Sequence, residues 1–245
     1  MEGINKVVIL GGGETGKRIR DLFFKAGLKV VMPDLETDYL KELADADIVL
    51  EALRGDVESR KETLRRCDEK APPKTIFATA ASWGITEMAA ATKRPEKTLG
   101  LNFTFNLVEG KCLVQIVKQL ETSEETVQAC KSLIEKVGAT AVEVEDSPGF
   151  ILDRVMASMI NEAATMYASR IATMEDMDKV AKLCLNWPMG PFEFADTIGI
   201  DNVVATLETL SQQKGSQYIP CRLLRQMVAL GRLGKKTGKG FYQYI

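Results

Sequence analysis

A glycine-rich turn between an apolar run and a helical segment constrains the fold of this chain more than any other feature. The turn, GGGETG at residues 11–16, follows the β-branched run KVVIL and opens a helical stretch. In this GxGxxG spacing Gly11 permits the tight turn, Gly13 lets the backbone approach a pyrophosphate, and Gly16 lets the helix pack close to the strand. The context predicts a dinucleotide site formed by Gly11, Gly12, Gly13, Glu14, Thr15 and Gly16, although a plain turn would also accommodate these glycines.

An acidic residue at the end of the next strand adds to this prediction. Asp34 follows the apolar run LKVVM at residues 28–32. A carboxylate at this position accepts hydrogen bonds from the adenosine ribose and repels a 2′-phosphate, so NAD is favoured over NADP as the cofactor. The alternative interpretation of Asp34 is a cap at the start of the following short helix.

Alternating apolar runs and helical segments predict the fold class. Such alternation with short connections is typical of an α/β sheet whose crossovers are right-handed. Strands are predicted at residues 6–10, 28–32, 47–53, 75–78, 98–102, 112–117 and 141–144. The pattern becomes helical after residue 147, beginning with one long helix over residues 150–172. We therefore expect a Rossmann-type parallel sheet domain at residues 1–147 that binds NAD, followed by an all-α C-terminal domain at residues 148–245.

Composition excludes several kinds of protein. The chain of 245 residues contains no histidine, which rules out histidine-based acid–base catalysis and histidine-ligated metal sites, and we expect no metal. Its net charge of −2 does not indicate binding to nucleic acid or to an anionic membrane surface. The five cysteines are scattered and predict reduced, mostly buried thiols. Because no signal peptide or membrane-spanning run is recognisable, a cytoplasmic protein is expected.

Longer segments resemble the 3-hydroxyacyl-CoA dehydrogenase family, in particular the 3-hydroxybutyryl-CoA dehydrogenases. These segments are ITEMAAATKRPEKTLGL, SPGFILDR, MINEA, WPMGPFEFADTIGID and LGKKTGKGFYQY. The resemblance implies an oxidoreductase of fatty acid metabolism that acts on a small-molecule substrate. It also implies a homodimer formed through a helical C-terminal domain like that of 6-phosphogluconate dehydrogenase, and an active site between the domains.

The residues that this family uses in catalysis are replaced. The family's general base is a histidine in a GxHFFNP segment, and counting forward from Ile85 puts that position at Asn102, whereas counting back from LVQIV puts it at Phe103. The glutamate that orients the histidine becomes Gln115, and the asparagine of PGFxxNR becomes Asp153. A substrate-binding serine becomes alanine at residue 81, next to a retained Ser82. The helical hairpin that clamps CoA is also missing, because about a dozen residues separate the second strand from the third.

Three hypotheses follow from these replacements. The first is an NAD-dependent oxidoreductase for a hydroxy or oxo acid or thioester, in which Asp153 and Asn102 contact the reacting oxygen. The second is a catalytically degenerate NAD-binding paralogue that serves as a redox sensor or as the structural subunit of a heteromer. The third is an enzyme that uses bound NAD without net redox. Asn102 and Gln115 are expected to hydrogen-bond to each other, and Asp153 could instead pair with Arg154 or a nearby lysine.

Overall fold

The computed structural model describes residues 3–53, 55–81, 84–105 and 112–244. It divides the chain into two compact units, residues 1–150 and residues 151–245. The division falls slightly beyond the boundary predicted at residue 147, because Phe150 is buried against Ile85 and Val117 of the first unit.

The first unit contains a seven-stranded sheet with the order β2-β1-β3-β4-β5-β6-β7. The strands are β1 (Lys6–Leu10), β2 (Lys29–Val31), β3 (Ile48–Glu51), β4 (Ile76–Thr79), β5 (Thr98–Phe105), β6 (Cys112–Lys118) and β7 (Thr140–Glu145). All neighbouring strands pair in parallel except β5 and β6, which are antiparallel. The predicted Rossmann-type α/β class is confirmed, with β6 and β7 running opposite to the other five strands.

Helices cover both faces of this sheet because its central strands are apolar on both sides. The helices of the first unit are α1 (Glu14–Lys25), α2 (Val57–Asp68), α3 (Ile85–Ala89) and α4 (Glu124–Lys136). Val7 and Ile9 contact a core that includes Phe23 of α1, whereas Val8 and Leu10 contact a separate core on the other face. This alternation along β1 follows from the two-residue period of a strand. The central strands β1, β3 and β4 are therefore buried between two layers of helices.

Side-chain caps fix where two of these helices begin. Asp56 accepts a hydrogen bond from Ser59 N at 2.9 Å at the start of α2. Ser123 accepts one from Thr126 N at 3.2 Å at the start of α4. Each bond satisfies one of the N–H groups that a helix leaves unpaired in its first turn.

The second unit is helical, as predicted. Its helices are α5 (Leu152–Ala168), α6 (Met174–Cys184), α7 (Pro191–Ile198), α8 (Ile200–Lys214) and α9 (Arg222–Ala229). Their apolar faces enclose one core that includes Ile160 of α5, Phe192 of α7 and Leu207 of α8. The C-terminal segment over residues 234–243 forms isolated β-bridges between Gly234 and Lys239 and between Lys239 and Gln243.

The predicted long helix over residues 150–172 is shorter in the structure, at Leu152–Ala168. Phe150 has a φ of 42°, so the chain enters the helix only after it. Arg170 has a φ of 61°, which ends the helix in a left-handed conformation. No glycine or proline marks this end, and the sequence pattern therefore overextends the helix.

Three of the five cysteines, Cys67, Cys112 and Cys130, are buried. Burial raises the pKa of the Cys112 thiol to about 11, so that this thiol is protonated at neutral pH. Within the described part of the chain, no helix has the length and apolar character needed to cross a membrane.

Candidate dinucleotide and catalytic sites

The glycine-rich turn has the backbone geometry that its spacing predicts. Gly11 has a φ of 126°, and a Cβ atom at this position would clash with the backbone carbonyl of Ala52. A Cβ atom at Gly16 would clash with the carbonyl oxygen of Gly11, so only glycine lets α1 begin this close to β1. Gly13 is the extended residue before α1. The start of α1 thus lies beside the pocket described below, and the N–H groups and positive dipole end of a helix start are what phosphate binding uses.

Asp34 lies beyond the end of β2 in an exposed turn. Its Oδ1 atom accepts a hydrogen bond from Glu36 N at 3.0 Å, and its carbonyl oxygen accepts one from the Thr37 hydroxyl at 2.7 Å. The Asp34 side chain thus closes a local turn and does not cap the following 3₁₀ helix, Tyr39–Leu43, whose N-cap residue is Asp38. Because a carboxylate has about four acceptor positions, this bond leaves it able to accept the hydroxyls of a ribose as well.

A pocket of about 150 Å³ adjoins the glycine-rich turn at the carboxyl ends of β1, β3 and β4. Strand order reverses between β1 and β3, and ligands of open α/β sheets bind in the crevice at such a reversal. The lining residues are Gly13, Glu14, Thr15, Glu51, Ala52, Leu53, Arg60, Ala80 and Ala81. The clashes that exclude side chains from the turn, together with this pocket, fit a bound dinucleotide.

A buried ion pair at this pocket is not anticipated by the sequence. Glu51 ends β3 with no exposed surface, and Arg60 of α2 is 5% exposed. Arg60 donates to both carboxylate oxygens of Glu51, at 3.0 Å from Nε and 2.6 Å from Nη2. Nη2 also donates to the hydroxyl of Thr79 at 2.8 Å. A carboxylate at the end of the apolar run IVLE is the only signal in the sequence, and it does not identify Arg60 as the partner.

Asn102 and Gln115 form the hydrogen bond that was expected of them. They lie directly opposite each other across β5 and β6, and Gln115 Nε2 donates to Asn102 Oδ1 at 3.1 Å. Both are buried, at 8% and 2% exposure. Phe103, the other candidate position, lies opposite Val114 and packs edge-on against Phe23 at 5.9 Å. The paired side chains are neutral amides, which do not take up a proton at neutral pH.

Of the other candidate residues, Ala81 belongs to the first unit and Asp153 to the second. The N–H of Ala81 donates to the Thr79 hydroxyl at 3.3 Å, whereas Ser82 lies outside the described residues. Asp153 belongs to the second unit, in the first turn of α5, and is partly exposed. Its neighbour Arg154 donates from Nε to the Tyr218 hydroxyl at 3.0 Å.

The connection between β2 and β3 is as short as the sequence predicts. It contains one turn of 3₁₀ helix, Tyr39–Leu43. Tyr39 and Leu43 are both buried in the core on the α2 face of the sheet. This segment therefore packs as a compact cover of the sheet and has no helical hairpin.

Two C-terminal segments that carry the family resemblance, PMGPFEFAD and GKGFYQY, are joined by buried carboxylates. Asp178 accepts hydrogen bonds from Phe192 N at 2.9 Å and from the Tyr242 hydroxyl at 2.8 Å. Asp196 accepts from the N–H groups of Phe241 and Tyr242, each at 2.8 Å. Burial raises the pKa of Asp178 despite these bonds, and burial followed by the bond to Asp178 raises the pKa of Tyr242. These two segments therefore stabilise the second unit and are not by themselves a sign of catalysis.

Comparison with protein families matches both parts of the chain. Residues 35–147 match the NAD-binding domain of 3-hydroxyacyl-CoA dehydrogenase, and residues 149–244 match its C-terminal domain. The first match begins at residue 35 and does not include the glycine-rich turn at residues 11–16. The interpretation of the turn as a phosphate-binding loop therefore depends on its own backbone geometry. Together with the curated relatives below, the NAD-binding domain identifies the cofactor as NAD.

Individual relatives agree with these matches. A probable 3-hydroxybutyryl-CoA dehydrogenase of Bacillus subtilis is 45% identical over 207 residues, covering 84% of this chain and 72% of the relative. A 3-hydroxybutyryl-CoA dehydrogenase of Bradyrhizobium diazoefficiens is 32% identical, covering 98% and 96%. The crystal structure of (S)-3-hydroxybutyryl-CoA dehydrogenase from Ralstonia eutropha superposes with a TM-score of 0.92 at 31% identity, covering 99% of this chain and 100% of that one.

Proposed function

Since the chain belongs to the 3-hydroxyacyl-CoA dehydrogenase family, we propose that it is an NAD-dependent oxidoreductase that interconverts a hydroxy and an oxo acid or thioester. The pocket beside the glycine-rich turn carries this proposal, because its lining leaves α1 open to a dinucleotide. When bound, NAD supplies hydride transfer. The protein's contribution is to bind the pyrophosphate at the N–H groups of α1 and the ribose at Asp34.

The hydrogen-bonded amides of Asn102 and Gln115 occupy, in this proposal, the position of the family's histidine and glutamate. Their opposition across β5 and β6 supports this assignment over one through Phe103. An amide can hydrogen-bond to a substrate oxygen, but it does not accept its proton. Because a positioned general base contributes about 10²- to 10⁴-fold, we expect turnover to be slower than in relatives with histidine by a factor of this order.

Asp153 is the residue that we assign to proton transfer, together with Asn102 as a contact of the reacting oxygen. A carboxylate stands there in place of the family's asparagine, and it is the titratable group among the four replaced positions. If Asp153→Ala and Asn102→Ala both leave turnover unchanged, this assignment is wrong. Asp153→Asn restores the family's residue, and it should remove any acid limb that Asp153 contributes to the pH profile of kcat/KM.

The first experiment measures NADH consumption by the purified protein with acetoacetyl-CoA, beside a family member that has the histidine. NADH binding is measured in parallel by fluorescence titration. Turnover within about 10²-fold of that control supports an oxidoreductase with a substitute base, whereas a loss of about 10²- to 10⁴-fold is what a missing base predicts. NADH binding without turnover excludes ordinary acyl-CoA reduction.

The second candidate function is a catalytically degenerate NAD-binding paralogue, a redox sensor or a structural subunit. The neutral Asn102–Gln115 pair favours it, because such a pair keeps the strands aligned without acid–base chemistry. This candidate predicts NADH binding with no turnover of any 3-oxo acid or thioester, and co-purification with a partner subunit. Turnover that Asp153→Ala abolishes contradicts it.

We further propose that the substrate is small or is attached to a carrier other than CoA. The short connection between β2 and β3 supports this, since it leaves no hairpin to clamp CoA. The alignment with the Bradyrhizobium relative spans 281 positions for this chain of 245 residues, so the relative contains residues that are lacking here. The proposal predicts a higher kcat/KM for free acetoacetate than for acetoacetyl-CoA; the reverse preference contradicts it.

A further inference from the structure

We propose that Arg60 is a positioning residue of the cofactor site, which acts through Glu51 and Thr79 on the loops that follow β3 and β4. This inference rests on the NAD site alone and holds whether or not the protein turns over a substrate. The loops matter because Ala52 and Leu53 form one wall of the pocket, and Ala80 and Ala81 form another.

The first connection runs from Arg60 to the loop after β3. Glu51, bound by Arg60 through both carboxylate oxygens, accepts a further hydrogen bond at Oε1 from Leu53 N at 2.7 Å. That bond fixes the backbone on one side of Ala52. Since even a Cβ atom on Gly11 would clash with the carbonyl of Ala52, this loop and the glycine-rich turn are in direct contact. Arg60 therefore influences the position of the glycine-rich turn through Glu51 and the loop after β3.

The second connection runs to the loop after β4. The Thr79 hydroxyl donates to Glu51 Oε2 at 2.7 Å and accepts from Arg60 Nη2 at 2.8 Å. It also accepts from Ala81 N at 3.3 Å. One hydroxyl thus joins the ion pair to the second wall of the pocket, and Thr79 is itself 1% exposed.

The chemistry of the network favours positioning over proton transfer. All the hydrogen bonds at the Glu51 carboxylate, from Arg60, Thr79 and Leu53, are donated to it, so the group is engaged as an acceptor. A buried ion pair adds little stability compared with apolar side chains of similar volume. The contribution of this ion pair is geometric: its bidentate, charge-assisted hydrogen bonds hold the loops after β3 and β4 in fixed positions.

The sharpest test compares two buried threonines. Thr79→Val removes the hydroxyl that joins the ion pair to Ala81. Thr98→Val removes an equally buried hydroxyl on β5, which bonds to Thr92 and to the Arg94 carbonyl and does not line the pocket. NADH affinity is measured by fluorescence titration and stability by urea unfolding. We expect Thr79→Val to weaken NADH binding roughly tenfold and Thr98→Val to leave it unchanged, at a similar loss of stability for both.

A second pair of variants addresses the ion pair directly. Arg60→Met leaves the Glu51 carboxylate unpaired and lowers stability, whereas Arg60→Met combined with Glu51→Gln removes the uncompensated charge and restores much of it. For a positioning network, the double variant regains stability but still binds NADH roughly tenfold more weakly. Wild-type NADH affinity in both the double variant and Thr79→Val overturns the proposal. Failure of the dehydrogenase proposal is a separate result, since it requires unimpaired NADH binding without turnover.

Discussion

At the scale of single residues, the buried amides in the middle of β5 and β6 lead to a gain-of-function experiment. Gln115 donates to Asn102 in a position that excludes nearly all solvent. Replacing them together, Asn102→His with Gln115→Glu, would install a base and the carboxylate that orients it. We expect kcat/KM for 3-oxo substrates to rise by about 10²- to 10⁴-fold, with a new pKa near neutrality in the pH profile.

The control for this experiment places a histidine nearby without the pairing. Thr104→His with Gln115→Glu puts the imidazole on the same face of β5, two residues further along and opposite Leu113. Its rate should remain that of the wild type. An equal rise in both variants, or a doubly substituted protein that binds NADH but is no faster, would mean that Asn102 does not occupy the position of the base.

Residues whose role is set by local geometry were predictable, and those set by tertiary contacts were not. The spacing of Gly11, Gly13 and Gly16 determines the turn within six residues of chain. Asn102 remained ambiguous with Phe103, because the length of the segment between two antiparallel strands does not determine their register. Arg60 and Thr79 reach Glu51 from 9 and 28 residues away, and no sequence pattern joins them.

At the scale of elements, the geometry of the glycine-rich turn predicts that Gly11 and Gly12 differ in their tolerance of a side chain. Gly11→Ala would place a Cβ atom against Ala52 at a φ of 126°, and we expect it to cost about 1–3 kcal/mol of unfolding free energy and to abolish NADH binding. Gly12→Ala meets no described atom within 4 Å and should cost less than about 0.5 kcal/mol. Urea unfolding of both variants checks this. Equal stabilities would contradict the geometry of the turn.

The start of α7 gives a pH-dependent prediction. Partial burial alone would raise the pKa of Glu193. Hydrogen bonds from Lys182 and from Gly190 N oppose this effect, as do the positive charges of Lys182 and Lys235. Their sum is larger, so the pKa of Glu193 lies below its usual value of 4.5. A depressed pKa stabilises the folded state above about pH 4.5, and this contribution is lost as the pH falls through the lower folded value. Glu193→Gln should therefore be less stable than wild type by about 1 kcal/mol at pH 7 and by progressively less below pH 4.5.

The measurement is urea unfolding of Glu193→Gln and wild type between pH 7 and pH 3. Glu162→Gln is the matched control, since Glu162 is exposed in the middle of α5. The Glu193→Gln deficit, measured against this control, should shrink as the pH falls. A Glu193→Gln deficit that stays constant down to pH 3 would show that the carboxylate's charge is not what stabilises α7.

The positions of the strands were predictable from the sequence, whereas the end of α5 and the short helix α3 were not. The strands of the sheet were located to within a few residues, because apolar runs bounded by glycine, proline and aspartate leave few alternatives. The end of α5 was missed because Arg170 adopts its left-handed conformation without a glycine to mark it. The short helix α3 was also missed, since five residues are too few for a helical period to be recognised.

At the scale of the whole molecule, exposed apolar side chains are concentrated in the second unit. In the second unit they are Ile151, Val155, Ile171, Val180, Leu183, Leu185, Ile219 and Leu230. In the first unit the exposed large apolar side chains are Phe24, Leu113 and Leu120. Monomeric proteins rarely expose large contiguous apolar patches. On α6, Val180 and Leu183 lie one helical turn apart, at 59% and 83% exposure, opposite the buried Asp178 and Ala181. We propose that this face of α6 belongs to the interface of the homodimer that the family resemblance implies.

The proposal predicts that Val180→Glu with Leu183→Glu yields a folded monomer of 27.0 kDa, whereas wild type has twice that mass by light scattering after size exclusion. Both side chains are already exposed within one chain, so the fold of each protomer should persist, with an unchanged circular dichroism spectrum. Leu120→Glu is the control, because Leu120 is 97% exposed but lies in the first unit, and it should leave the dimer intact. A monomeric wild type would refute the homodimer, and a dimeric double variant would mean that α6 is outside the interface. Loss of the dimer in both variants would show that added charge alone causes dissociation.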